Sequence, residues 1–289
     1  MSISILFVQI LTGLAYGMLL FMIAAGLSII FGLMNVINLA HGTFFMVGSY
    51  FTMSFLKHLV GFWFALLLSV FVVTVFGLLV EFFMLRHVYG KEFEQVLLTF
   101  GLMFVFSDLI KWIWGSSPQS IPVPHLLDFS ISLGAVSFPV YRLFVVFVGI
   151  LLAIVLWYLE NRTRIGAIIR AGVDDREMLG ALGINVKFIF AGVFAFGAAL
   201  AGLSGGLAGP ILGLYSGMDA DILIFSLVIV VIGGLGTWKG SFIGAILIGM
   251  IDTLGRVWFP SISMVIIFAL MVAVLIVKPA GLFGKGIET

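Results

Sequence analysis

Ile165-Gly-Ala-Ile-Ile-Arg170-Ala-Gly-Val-Asp-Asp175-Arg-Glu-Met-Leu-Gly180-Ala-Leu-Gly-Ile-Asn185-Val186 is the one sizeable polar and charged stretch in a chain that is otherwise apolar. It reads as a short helix with both ends marked. Asp174 or Asp175 can cap the start, because a carboxylate accepts the free backbone N–H groups there and suits the positive end of the helix dipole. Arg176, Glu177, Met178, Leu179, Gly180, Ala181 and Leu182 follow. Gly183 fits the left-handed position that ends many helices. Met178, Leu179 and Leu182 share one face at i, i+1 and i+4, and Asp175, Arg176 and Glu177 lie elsewhere on the helix. A short amphipathic helix between two apolar runs is either a handle for a partner or an ordinary polar loop, and spacing alone leaves both open.

Outward from this stretch, composition sets the solvent. Of 289 residues, 63% are hydrophobic and 9% charged, against about 25% charged in soluble domains. Mean hydropathy is +1.31. Such a surface belongs in a bilayer. A net charge of +1 argues against nucleic acid, which needs clustered Lys and Arg. With no cysteine, disulfides and thiolate metal sites are excluded. The first residues, Met-Ser-Ile-Ser-Ile, carry no basic region of a cleaved signal peptide, so the first apolar run is expected to remain as a transmembrane helix.

Apolar runs near the length of about 20 residues that a span needs fall at 5–31, 61–85, 96–114, 140–159, 188–208 and 262–277. Shorter pieces lie between 42 and 55, 222 and 232, and 242 and 258. The expectation is an all-α polytopic membrane protein, one transmembrane domain over residues 1–289 with eight or nine transmembrane helices, some of them broken. Residues 115–139 carry Pro118, Pro122, Pro124 and Pro139 without Lys or Arg, and read as a loop with a short extended hairpin. Pro210 and Asp219 are assigned to a connection. Basic residues accumulate in cytoplasmic loops. Arg86, Lys91, Arg162, Arg164, Arg170, Arg176, Lys187, Lys239, Lys278 and Lys285 fall on one side, ten of the 14 Lys and Arg in the chain. That puts the 160–187 loop and the C-terminus in the cytoplasm, with the N-terminus and the 115–139 loop outside. An echo joins His41-Gly-Thr-Phe44 with Lys239-Gly-Ser-Phe242. Both fall on the same side in this topology, so the echo is either a parallel repeat or a chance match between glycine-rich apolar segments.

Polar groups inside a membrane are costly and call for partners or water. Asn35, Asn38 and His41 recur at a spacing of three and would face one way on a helix. With the adjoining Gly42 and Thr43 they read as a broken helix lining a translocation path, or as a capped turn between two helices. Asp108 and Lys111 are spaced for a local ion pair. Asp219 and Asp221 are expected to cap a helix or face water. His58, His87 and His125 have no carboxylate at metal-ligand spacing. No P-loop occurs and no catalytic pair assembles, so the chain is not read as an enzyme.

Arg170-Ala171, Asp174-Asp175, Met178 and 181–185 resemble the cytoplasmic coupling loop of the branched-chain (hydrophobic) amino acid permeases, the H-type membrane subunits of ATP-driven (ABC) importers. Residues 26–42, Gly-Leu-Ser-Ile-Ile-Phe-Gly-Leu-Met-Asn-Val-Ile-Asn-Leu-Ala-His-Gly, resemble the N-terminal signature of that family. Gly233-Gly234-Leu235-Gly236-Thr237 with Gly240 and Gly244 resembles its C-terminal glycine motif. The resemblance implies a second, similar permease subunit, two ATPase subunits carrying ATP and Mg, an external substrate-binding protein, and residence in the cytoplasmic (inner) membrane of a prokaryote. This chain would bind no cofactor, and ATPase coupling would run through Asp174, Asp175, Arg176, Glu177, Met178, Leu179, Leu182 and Gly183. The implied substrate is a branched-chain or other hydrophobic amino acid; urea, short amides or aromatic acids are carried by related permeases. An ATP-independent secondary transporter would need membrane carboxylates for ion coupling, and Glu81 and Asp108 lie near span ends, which gives it little support. An intramembrane enzyme would need a catalytic partner for His41.

Overall fold

The computed structural model describes residues 3–58, 61–133, 136–174 and 176–284. Among them, apolar runs form α1 (Ile3–Met34), α2 (His41–His58), α3 (Phe62–Phe83), α4 (Glu92–Trp114) and α5 (Val140–Arg162). The central stretch forms α6 (Arg164–Asp174) and α7 (Arg176–Ala181). The rest is α8 (Val186–Leu212), α9 (Met218–Gly233), α10 (Trp238–Trp258) and α11 (Ser263–Val277). A hairpin of β1 (Ser130–Leu133) and β2 (Val136–Pro139) pairs Ser130 with Pro139 and Ile131 with Phe138. Six of the described helices are long and apolar enough to cross a bilayer: α1, α3, α4, α5, α8 and α10. The chain is an all-α, multi-pass membrane protein. One end of the bundle carries the α6–α7 handle and the other the hairpin.

Small residues set the packing, because apolar helices in lipid gain by close approach rather than by excluding water. α1 lies antiparallel to α10, with Gly13 against Gly249, Gly17 against Ala245 and Gly32 against Gly236. α8 lies antiparallel to α3 in the same manner, with Gly202 on Val73, Gly206 on Leu66 and Ala198 on Gly77. These correspondences extend further. α1 packs on α8, α2 on α9, α2 on α3 as α9 on α10, and α2 on α4 as α9 on α11. The sets α1–α4 and α8–α11 are therefore counterparts, and α1 runs towards the handle while α8 runs away from it. This is an inverted repeat of the kind that places paired broken helices at the centre of many transporters. The parallel pairing expected from His41–Phe44 and Lys239–Phe242 is corrected: the counterpart of α2 is α9, and the tetrapeptide match joins unrelated positions.

Both α2 and α9 start inside the bundle. The chain leaves α1 at the handle end, turns at Asn35 in a left-handed conformation (φ 52°), and returns without helix to Ala40. Asn tolerates that conformation better than most residues. His41 then starts α2 beside Ile23, 11 residues back from the end of α1, or about 16 Å along a helix. In the other half the chain turns after Leu212 through Gly213 (φ 71°) and Gly217 (φ 97°) into α9. The first turn of α9 lies on the first turn of α2: a side chain at Gly42 would strike the Asp219 carbonyl.

Pro210 and Asp219, both expected in a connection, lie inside α8 and in the first turn of α9. Pro210 lacks the N–H that would bond the carbonyl four residues back.

Candidate functional site

The handle starts where Thr163 accepts the Gly166 N–H through its hydroxyl at 3.1 Å. α6 then lies across the end of α1. A second short helix follows and closes at Gly183, whose φ of 78° is the left-handed terminator expected there. The Gly183 N–H reaches the Gly180 carbonyl and the Ile184 N–H reaches back to Leu179, which satisfies the last carbonyls. The Asn185 side chain accepts the Phe188 N–H at 3.3 Å and caps α8. Asp175 lies outside the described residues, as do the side chains of Asp174, Arg176 and Glu177, so the expected polar contacts of those four are not placed.

The three apolar handle residues do not share one face. Leu179 is 3% exposed and closes on Gly172 of α6, where Leu33 at the end of α1 also arrives, so it packs the second helix of the handle on the first beside the end of α1. Met178 (58% exposed) and Leu182 (69%) point outward. The expectation that Leu179 anchors a partner is corrected. The reason is geometric: α7 folds back on α6, and one side of a one-and-a-half-turn helix is spent on that contact.

Two joints tie the handle to the bundle. At the end of α5, Glu160 Oε2 accepts the Trp238 indole N–H at 2.9 Å and pairs with Lys239 Nζ at 3.0 Å, holding the start of α10. Near the start of α8, the Tyr89 ring meets Phe190 edge-on with centroids 5.4 Å apart. The Tyr89 hydroxyl donates to Glu81 at 2.7 Å, and Arg86 pairs with the same buried carboxylate at 3.5 Å. Glu81 is thus committed to a structural ion pair.

The expected pathway residues are brought together in part. Asn35 and Asn38 are not helical, so the three-residue spacing does not align them with His41. Asn35 is exposed and its amide donates to Glu92 at 3.4 Å. It lines a cleft of about 90 Å³ with Phe31, Ile37, Glu92 and Gln95, room for about three waters. The Leu39 N–H donates to the Thr99 hydroxyl at 3.2 Å, fastening the extended segment to α4. Asn38, His41, Gly42 and Thr43 are fully buried. His41 Nε2 lies 3.0 Å from the Ile23 carbonyl. The broken helix is as expected, and the shared helical face is not.

Asp108 and Lys111 pair at 3.0 Å on the surface, as their spacing suggested. Asp221 is exposed and accepts the Tyr215 hydroxyl at 2.9 Å. Asp219 does not face water: it is 1% exposed, and its Oδ2 has no hydrogen-bond partner. Sequence reading missed its burial. The available signal was a carboxylate at the head of a run too short to span, mirroring His41 at the head of another.

A family model described as branched-chain amino acid transport system / permease component matches residues 9–275. The high-affinity branched-chain amino acid transport system permease protein LivH of Escherichia coli K12 is 27% identical, over 96% of this chain and 95% of that protein. The corresponding BraD protein of Pseudomonas aeruginosa is 28% identical over the same shares. LivM of Salmonella typhimurium, a high-affinity branched-chain amino acid transport system permease protein, is 29% identical over 92% of this chain and 68% of its own length. No solved structure matches. A match over residues 9–275 of 289 leaves one conclusion, that the chain belongs to the family of branched-chain amino acid transport system permease components.

Proposed function

We propose that this chain forms half of the membrane pathway of an ATP-driven importer for branched-chain amino acids. Relatives of both the LivH and the LivM kind match it, which supports a pair of similar permeases. Two ATPase subunits would bind ATP and Mg, and an external binding protein would deliver substrate. The excess of Lys and Arg around the handle supports a cytoplasmic handle and C-terminus, with the N-terminus outside. On this orientation, Met178 and Leu182 enter a groove on an ATPase subunit.

The extended segment 35–40 marks the pathway side. Its backbone runs without helix from the handle end back to Ala40, yet Asn35 is exposed and Ile37 is 42% exposed. Lipid cannot satisfy non-helical backbone, which is tolerated only against protein or along a water-filled passage. This face therefore meets the second permease and the aqueous path.

The observation that carries the reading is the handle itself, a capped helix offering Met178 and Leu182 beyond the end of the bundle. The test is co-expression with the neighbouring transport subunits, purification through a tag on this chain, and leucine uptake by proteoliposomes. ATPase subunits should co-purify, and uptake should require ATP. Uptake driven by the chain alone would establish a secondary transporter instead.

A further inference from the structure

At the start of α2, polar groups that would ordinarily be satisfied are buried without partners. The His41 N–H reaches the Asn38 carbonyl and the Phe44 N–H reaches Ala40, but among the described residues nothing accepts the Gly42 or Thr43 N–H. The Thr43 hydroxyl and the Asn38 amide nitrogen also lack partners, and both residues are 1% exposed or less. All four are donors at the positive end of an 18-residue helix, where backbone N–H groups and the dipole favour an anion.

Unpaired acceptors lie on the same two helix starts. The Ile23 carbonyl can only accept, so His41 Nε2 carries the proton and Nδ1 is left as a bare acceptor; it has no partner. Asp219 Oδ2, also unpartnered, sits on the turn of α9 that covers Gly42. Leaving buried polar groups unpaired is costly, and here donors and acceptors gather where two broken helices of an inverted repeat meet, a frequent position for transported substrates.

We infer that the start of α2 and the first turn of α9 form a transit site for the main-chain end of a zwitterionic amino acid. The carboxylate is held by the Gly42 and Thr43 N–H groups, the Thr43 hydroxyl and the Asn38 amide; the ammonium is held by Asp219 and His41 Nδ1. One carbon separates the two charges of an α-amino acid, so donors and acceptors must be neighbours; the Gly42 backbone lies against the Asp219 main chain, and the Asp219 carboxylate is buried on that same turn. An uncharged amide or urea compensates neither the helix dipole nor a carboxylate. An acid without an amine brings a second anion towards Asp219. The site is closed here by α9, and the glycines at 213 and 217 flank the turn that must move for a substrate to enter.

This inference rests on the permease reading, and one experiment separates the two. The full complex with its binding protein is placed in proteoliposomes, and leucine carried per ATP hydrolysed is measured for wild type, Thr43→Val, Thr43→Ser and Asp219→Asn. Because the Thr43 hydroxyl makes no hydrogen bond, Thr43→Val folds at least as well as wild type. It should lower leucine per ATP about tenfold, with Thr43→Ser within about twofold of wild type; Asp219→Asn should fall at least as far. A wild-type complex that carries no amino acid sinks the permease reading. A transporting wild type with Thr43→Val unchanged, or with Thr43→Ser as impaired as Thr43→Val, overturns the site and leaves the permease standing. If Asp219→Asn does not assemble, the Thr43 pair decides alone.

Discussion

Leu179 is the residue whose role the structure changes most, and it gives the sharpest energetic test. Its side chain and that of Leu33 at the end of α1 converge on Gly172 of α6. Leu→Ala in a packed site costs about 2–5 kcal/mol. This site lies at the edge of the bundle and can partly collapse, so the lower end, about 2 kcal/mol, applies. For a chain of this size that lowers the melting temperature by about 4–8 °C. Gly172→Ala acts in the opposite sense. Its new Cβ would lie 2.7 Å from Leu179 Cδ1 and 2.8 Å from Leu33 Cδ1, well inside van der Waals contact. The strain, about 1–3 kcal/mol, is offset by about 1 kcal/mol of helix propensity. In the double variant the added methyl occupies space that Leu179 vacates, so its cost should undercut the sum of the single costs by at least about 1 kcal/mol. The assay is the loss of monodisperse protein on heating, at one scan rate for all four proteins because unfolding here need not be reversible. Additivity to within about 0.5 kcal/mol, or a silent Leu179→Ala, would refute the packing role.

Leu182→Asp should leave the melting temperature unchanged and release the ATPase subunits, since this side chain is exposed and an unpaired charge in an interface is strongly unfavourable; retained ATPases would end the docking role. His41→Leu removes one buried hydrogen bond, worth about 0.5–1.5 kcal/mol net, because the Ile23 carbonyl keeps its helical partner. Folded yield should therefore hold while transport falls, and equal transport would remove His41 from the path. A cysteine at Ser120 should be labelled from outside intact cells; labelling only after permeabilisation reverses the orientation.

The helices were legible because lipid imposes one rule, about 20 apolar residues per span, and 140–159 grew only to Val140–Arg162 in the fold. The end of the handle was legible because Gly183 acts within a few residues of itself; the helix Arg164–Asp174, which takes in Asp174 where a cap was expected, was not. What could not be read was direction. Leu179 and Leu182 have the same chemistry, and only the fold-back of α7 on α6 decides which is buried. The same limit hid the inverted repeat, whose halves share packing rather than sequence. It hid Asp219 as well, because a carboxylate at a helix start faces water unless another helix covers it.

In the proposed importer, the Leu179 contact and the Glu160 joint decide what the handle can move. Leu179 and Leu33 at the end of α1 converge on Gly172 of α6, and the chain turns from α1 into the extended segment that positions the start of α2. Glu160 grips Trp238 and Lys239, and the turn before them carries the end of α9 through Gly233. A displacement of the handle thus reaches one end of each connection that leads to the crossing of Gly42 and Asp219. Glu160→Ala cuts only the second route. Its ion pair is partly exposed, so the stability cost should stay within about 1 kcal/mol, while leucine carried per ATP should fall because α9 no longer follows the handle. Melting temperature and coupling ratio measured on the same preparation separate the two effects, and an unchanged ratio would confine transmission to the Leu179 route.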